Sequence, residues 1–228
     1  MQFAKILATA ALVLPLACAA QAGPARITVT GQGAVSARPD LATVSLGVTT
    51  EGATAAEALG RNSTELGRVL DRLRKAGIAE RDLQTSGLSL NPNWTQPQDG
   101  SAPRIRGYVA SNQLTVRVRA LETLGGILDA VVADGANTLN GISFGLADPG
   151  PAQDEARRLA VASARAKAQL LTQAAGVGLG PVVEISEGAG YQPPMPMFRA
   201  AASAAPVPVA EGEVETTAEV TIVYELKE

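Results

Sequence analysis

An α+β fold, a mixed but largely antiparallel sheet covered by three amphipathic helices, is what the sequence predicts. Three observations lead there. Stretches that alternate apolar and polar residues, such as LATVSLGV from Leu41 to Val48, take turns with stretches whose apolar residues recur every three or four positions. No linker between them is long enough to mark a boundary, so residues 23–228 read as one domain. The order strand, helix, Gly or Asn turn, strand also occurs twice, in LATVSLGV through GLSLN and in LTVRVRA through GISFGL. Either an internal repeat of strand–helix–strand units or a coincidence of α/β patterning produces this. With 46% hydrophobic but only 3% aromatic residues, the core must be built from Val, Leu, Ile and Ala.

The chain opens with one basic residue, Lys5, an apolar run from Ile6 to Ala20, and Ala20-Gln21-Ala22 before Gly23. This is the pattern of a secretory signal peptide over residues 1–22. A membrane span is the rival reading, but Pro15 breaks the run and the run is short for a bilayer. Lipidation at Cys18 is a second rival, and Pro15 falls where lipoprotein signals usually carry Leu. Removal of 1–22 takes away the single cysteine, and the chain has no histidine. Disulfides, thiolate nucleophiles, His-based triads and the usual zinc sites are thereby excluded, and no cofactor is expected. The balance of 19 Lys and Arg against 22 Asp and Glu argues against a nucleic-acid partner.

Ile27-Thr-Val-Thr30 alternates as a strand, Gly31-Gln-Gly33 marks a bend or bulge, and Leu41 to Val48 resumes with Val44, Leu46 and Val48 on one face. Thr54-Ala-Ala-Glu57 is a capping box, followed by Ala56, Leu59, Ser63, Leu66, Leu70 and Leu73 on one helix face, ending near Gly77. Leu83 to Leu90 reads as a strand and NPNWTQPQDGSAP as a turn-rich connection. Arg106 to Arg119 is a long strand with Leu114, Val116 and Val118 opposite Thr115, Arg117 and Arg119, so its sheet has a wet side. Leu121, Leu124, Leu128 and Val131 make a short second helix, and Gly141 to Leu146 a strand. Pro151 opens a third helix where its missing N–H is harmless, with Asp154 and Glu155 favoured by the dipole, and Gly176 stops it. Pro181 to Glu187 and Val214 to Leu226 are the last strands.

In this order, ITVTGQGAVSARPDLATVSLGVTTEG, RGYVASNQLTVRVR, ISFGLADP, EARRLAVASARAKAQLL and PVPVAEGEVETTAEVTIVYEL resemble the SIMPL-domain family of bacterial periplasmic and envelope proteins. The resemblance covers nearly the whole mature chain and rests on Gly31, Gly33, Pro39, Asp40 and the Gly212 turn, none of them catalytic chemistry. It implies an α+β fold, large homo-oligomers and a periplasmic or outer-membrane-associated location. It also implies an association with oxidative-stress defence and recognition as an immunogen.

Several motifs have plainer readings. Gly31-Gln-Gly33 lacks the third glycine of a dinucleotide fingerprint, and Pro39 keeps Arg38 extended. Ser163 and Lys167, a helical turn apart, read as a solvated face rather than a nucleophile and base. Asp71, Glu80 and Asp82 among Arg72, Arg74, Lys75 and Arg81 read as surface. The sequon Asn62-Ser-Thr64 sits mid-helix and is discounted. Three amphipathic helices do not fit an outer-membrane barrel.

The candidate interaction residues are Trp94, Tyr191, Met195, Met197 and Phe198. Trp94 is the single tryptophan, in a polar loop where it plugs a sheet edge or contacts a partner. The other four sit in the Pro/Met/Ala-rich loop 190–212, stiffened by five prolines at 193, 194, 196, 206 and 208. That loop reads as an interface arm, a sacrificial methionine site, a weak Cu(I) site, or a loop without a task. The preferred function is a non-enzymatic, self-assembling periplasmic protein that supports the envelope under oxidative stress, with an envelope or outer-membrane protein as a further partner. The alternative is a small-ligand or Cu(I) binder, or an enzyme working without His or Cys.

Overall fold

The computed structural model describes residues 24–95, 102–188, 195–197 and 209–228. The expected signal peptide and the candidates Tyr191 and Phe198 lie outside the described residues. The elements run β1 (Arg26–Ala37), β2 (Leu41–Gly52), α1 (Ala55–Lys75), β3 (Leu83–Thr95) and β4 (Arg104–Val118). There follow α2 (Leu124–Ala133), β5 (Thr138–Gly145), α3 (Gly150–Ala174), β6 (Gly178–Glu187), β7 (Met195–Met197) and β8 (Glu213–Lys227).

The fold is α+β, and its strands divide between two four-stranded sheets, in both of which every described pairing is antiparallel. In the second sheet the order is β3-β4-β2-β5. Strand β4 thus lies between β2 and β3, and β2 lies between β4 and β5. The units β2-α1-β3 and β4-α2-β5 are two split strand–helix–strand motifs, each lending its first strand to the gap in the other. The doubled grammar of the sequence has this interleaving as its physical form. Helices α1 and α2 bury Leu66, Val69, Leu73, Leu124, Leu128 and Val131 on a floor that includes Val44, Leu46, Val48, Leu114, Val116 and Val118.

The cap at Thr54 forms, but the return bond from Glu57 goes to the residue before the cap rather than to Thr54 itself. The Glu57 N–H donates to Thr54 Oγ1 at 3.2 Å, and the Ala53 N–H donates to Glu57 Oε2 at 3.1 Å. The buried stripe of α1, however, is Ala58, Asn62, Leu66, Val69 and Leu73, while Ala56, Leu59 and Ser63 are exposed. Asn62 hides the true face from a hydrophobic count. It is fully buried because its Nδ2 donates to the carbonyls of Val48 at 2.8 Å and Ala110 at 3.1 Å, tying the helix to both central strands. This burial also closes the sequon. Asn62→Ala is expected to destabilise the protein by about 2 kcal/mol in urea unfolding, through lost hydrogen bonds and a cavity. A change below about 0.5 kcal/mol would mean that those carbonyls need no side-chain donor.

In the first sheet β8 is central, with β1 on one side and β6 and β7 on the other. Strand β1 pairs with β8 without a register shift from Arg26 to Ala37, so Gly31-Gln-Gly33 is not the expected bend or bulge. The glycines serve the helix above. A Cβ on Gly31 would lie 2.1 Å from the Ala160 carbonyl oxygen, and one on Gly33 2.1 Å from that of Ala156. The helix reaches this distance with a stripe of Ala156, Ala160, Ala164 and Ala168, all fully buried. The Pro39-Asp40 corner joins the sheets: Asp40 N–H donates to the Gly145 carbonyl, and Asp40 Oδ1 accepts from the Ala147 N–H at 2.6 Å.

Candidate functional site

A helix is about 10 Å across and strands lie about 4.8 Å apart, so one helix covers roughly two strands. Helix α3, held down by its alanine stripe, lies over β1 and β8, and β6 is left at the margin. The consequence is visible along β6, where every residue from Pro181 to Glu187 is exposed. Val182 is 48%, Val183 40% and Ile185 59% exposed. Val182 and Ile185 stand opposite Tyr224 and Ile222 of β8, two buried members of the core under α3. An apolar surface therefore continues from that core out to the sheet margin.

The outer edge of β6 has no strand partner among the described residues. It carries some of the features that discourage pairing: Pro181, register shifts on either side of Val182, and Glu184 and Glu187 among the aliphatics. Glu187 is itself held, accepting from Arg157 Nε at 2.7 Å. The opposite edge of the sheet is guarded differently. Lys167 Nζ donates to the Thr30 carbonyl oxygen of β1 at 2.8 Å, so this ammonium is engaged with the strand and not with Ser163.

Met195 and Met197 belong to β7, which pairs with Glu213 to Glu215 of β8. Because β1 occupies the other side of Val214 and Glu215, β7 must lie on the β6 side. The methionine strand and the exposed aliphatic strand thus follow one another along one edge. Trp94 lies elsewhere, on the other sheet. It was expected in a loop, but the strand pairing of β3 and β4 runs beyond Leu90, with a register shift at Asn93/Trp94, and sets Trp94 opposite Ile105. Both are about half exposed. Of the five candidates, the structure brings Met195 and Met197 together with β6 and places Trp94 on another sheet.

Sequence reasoning missed two features. The aliphatics of β6 look like any core strand, since only the reach of α3 determines that they stay uncovered. Asp82, expected at the surface, is 6% exposed and takes a bidentate pair from Arg119, Nε to Oδ2 and Nη2 to Oδ1, each at 3.1 Å. The hydrogen bond from Arg119 holds its carboxyl below the ordinary carboxylate value against the opposing effect of burial. Glu80 beside Arg74 and Asp134 beside Arg72 shift the same way. Among the described residues, each resolved shift favours the charged form, as structural ion pairs do; a general acid needs a carboxyl pushed up. No cluster of three or more His, Cys, Asp or Glu side chains suited to a metal occurs among them, and none of their helices is long and apolar enough to cross a membrane.

The chain is similar to known proteins over most of its length. It is 44% identical over 216 residues to a 26 kDa periplasmic immunogenic protein of Brucella melitensis, covering 90% of this chain and 86% of that one. It is 31% identical over 233 residues to the uncharacterized protein YggE of Escherichia coli K12, covering 98% and 94%. YggE of Edwardsiella ictaluri is 30% identical over 163 residues, 72% of this chain and 67% of that one. Residues 27–224, from the start of β1 to the buried Tyr224 of β8, match the SIMPL model, described as a protein of unknown function (DUF541), and the chain belongs to that family.

Proposed function

We propose that this is a non-enzymatic, self-assembling protein of the periplasm that supports the cell envelope under oxidative stress. The observation that carries the reading is the margin of the first sheet, where β6 presents Val182, Val183 and Ile185 beside a strand edge that has no partner among the described residues, and β7 continues that edge. Addition of a strand from another chain would satisfy the edge amides and cover the aliphatics. Three half-exposed aliphatic side chains contribute about 3 kcal/mol per copy when covered. Against an association cost of about 4–15 kcal/mol, that alone is too little, so a second contact is required. The Pro/Met/Ala-rich loop 190–212, with Tyr191, Met195, Met197 and Phe198, supplies it as an arm reaching an adjacent copy or an outer-membrane partner.

The relatives called periplasmic immunogenic proteins are placed in the periplasm by their names, and we assign this chain there, with residues 1–22 as the export signal. The absence of histidine, and of cysteine after residue 22, favours protection by structure over peroxide turnover. Trp94 is a further contact in the assembly. Its quenching by acrylamide is expected to rise on dilution as the assembly dissociates, and quenching independent of concentration would remove it from the interface.

The test is genetic. Cells lacking the protein should leak periplasmic contents under peroxide, and the wild-type chain should restore retention while Ile185→Lys should not. Full restoration by an Ile185→Lys protein shown to be monomeric would overturn the assembly reading. Catalytic peroxide consumption by the purified chain without added cofactor would overturn the non-enzymatic one.

A further inference from the structure

The geometry that leaves β6 uncovered recurs on the second sheet. Helix α1 lies chiefly over β2 and β4, and at about 10 Å across it does not cover β3, the strand at one end of the order β3-β4-β2-β5. Leu88, Leu90 and Pro92 alternate along β3 opposite Asn112, Ala110 and Tyr108 of β4, and Trp94 follows at the same step opposite Ile105. Ala110 is fully buried, and its carbonyl takes the Asn62 hydrogen bond, so these positions continue outward from the core under α1. Leu88, at 61%, Leu90, Trp94 and Ile105 are all exposed. The outer edge of β3 has no strand partner among the described residues. From Leu88 to Trp94 this apolar margin is about 20 Å long, and from Val182 to Glu187 the margin at β6 is about 17 Å long.

The two margins differ in the sign of their charge. Strands β3 and β4 hold Arg104, Arg106 and Arg117 and no Asp or Glu, and Arg104 and Arg106 are exposed on either side of Ile105. Strands β6 and β7 hold Glu184 and Glu187 and no Lys or Arg, and the stretch of β8 that pairs with β7 adds Glu213 and Glu215. Arg157 of α3 offsets Glu187, while Glu184, in the middle of the aliphatics, keeps the margin acidic. A symmetric contact of β6 with β6 would bring these glutamates toward their own copies, and one between two β3–β4 ribbons would do the same with the arginines. Like charges so placed oppose association, and unlike ones favour it. We propose that the β6–β7 margin of one copy docks on the β3–β4 ribbon of the next. Val182, Val183 and Ile185 then cover Leu88, Leu90 and Trp94, and the glutamates of one copy face the arginines of the other. The proposal rests on the assembly reading above and names the surface that receives the edge. Such a contact is heterologous: each copy offers one margin and receives at the other, so the contact repeats from copy to copy.

Two variants, each blocked at one margin, test this. Val182→Lys/Ile185→Lys spoils the offered edge and Leu88→Glu/Trp94→Glu the receiving ribbon, and all four side chains are exposed. By light scattering each variant alone is expected to be monomeric. An equimolar mixture should give a species of two chains, because one intact junction remains between unlike variants, and that species shows that both are folded. Arg104→Glu/Arg106→Glu, which keeps the apolar strip, should lower the mass of the otherwise wild-type chain, and adding Glu184→Arg to it should raise the mass again. Assembly of Leu88→Glu/Trp94→Glu to the wild-type mass would overturn the proposal and leave the assembly reading standing. A mixture that stays monomeric, or a mass indifferent to Arg104→Glu/Arg106→Glu, would overturn it as well. A monomeric wild type would overturn both.

Discussion

Gly31→Ala is expected to destabilise the protein by about 3 kcal/mol, at the upper end of what one added methyl group costs in a packed site. The added Cβ would stand 2.1 Å from the Ala160 carbonyl oxygen and 2.4 Å from the Ala164 nitrogen, both backbone atoms of α3. Neither can rotate away, so the helix as a whole must lift from β1 and break contact along the alanine stripe. Gly33→Ala makes the same demand one turn earlier on the helix, and the double variant is expected not to fold. Gly60→Ala supplies the contrast. That glycine lies within α1 with nothing within 4 Å of an added Cβ, so alanine there should stabilise by roughly 0.5–1 kcal/mol. Urea midpoints at unchanged slope measure both. A neutral Gly31→Ala would mean that α3 does not rest on β1 at this distance.

Arg119→Ala is expected to destabilise the protein at neutral pH, and Asp82→Ala less, although the two residues share one ion pair. The asymmetry follows from burial, since Asp82 is nearly covered and Arg119 is about half exposed. Removing the arginine strands a buried carboxylate, whereas removing the aspartate leaves a guanidinium that water can solvate. The pH dependence has a definite sign. In the wild type the pKa of Asp82 is depressed by Arg119, so the pair stabilises the fold fully above the ordinary carboxylate pKa. That contribution is lost as pH falls through the folded value. In Arg119→Ala the hydrogen bond that does most to lower the Asp82 pKa is gone while the opposing effect of burial stays, so the pKa rises from its wild-type value and protonation relieves part of the penalty. The stability gap between the two proteins should therefore narrow as pH falls through and below the ordinary carboxylate range. A gap that widened on acidification would mean that the pair is not what holds Asp82.

Period and punctuation made most elements legible in the sequence. Pro151 marked the start of α3, Thr54 and Glu57 the start of α1, and the alternation of Leu114, Val116 and Val118 the buried face of β4. Periodicity tells which residues share a face, but not what that face meets, and the differences all arise there. Gly31 and Gly33 looked like a bend because the reason for them lies about 130 residues away, in α3. The single sheet became two because nothing within a strand declares its partners. Asp82 looked like a surface residue, and Asn62 lay off the expected buried face of α1, because their burial depends on an arginine remote in sequence and on two strand carbonyls. The proposed edge was half legible. Met195 and Met197 stood out by composition, whereas Val182, Val183 and Ile185 became unusual only once α3 was seen to leave them uncovered.

An edge formed by β6 and β7 that joins copies of the chain must show in the absolute mass in solution. Light scattering of the wild-type protein beside a Val182→Lys/Ile185→Lys variant measures it, with circular dichroism to confirm that the variant is folded. A wild-type mass several times the 23.2 kDa of the single chain is expected, with a monomeric variant. A wild-type monomer, or an assembly that the two lysines leave intact, would contradict it.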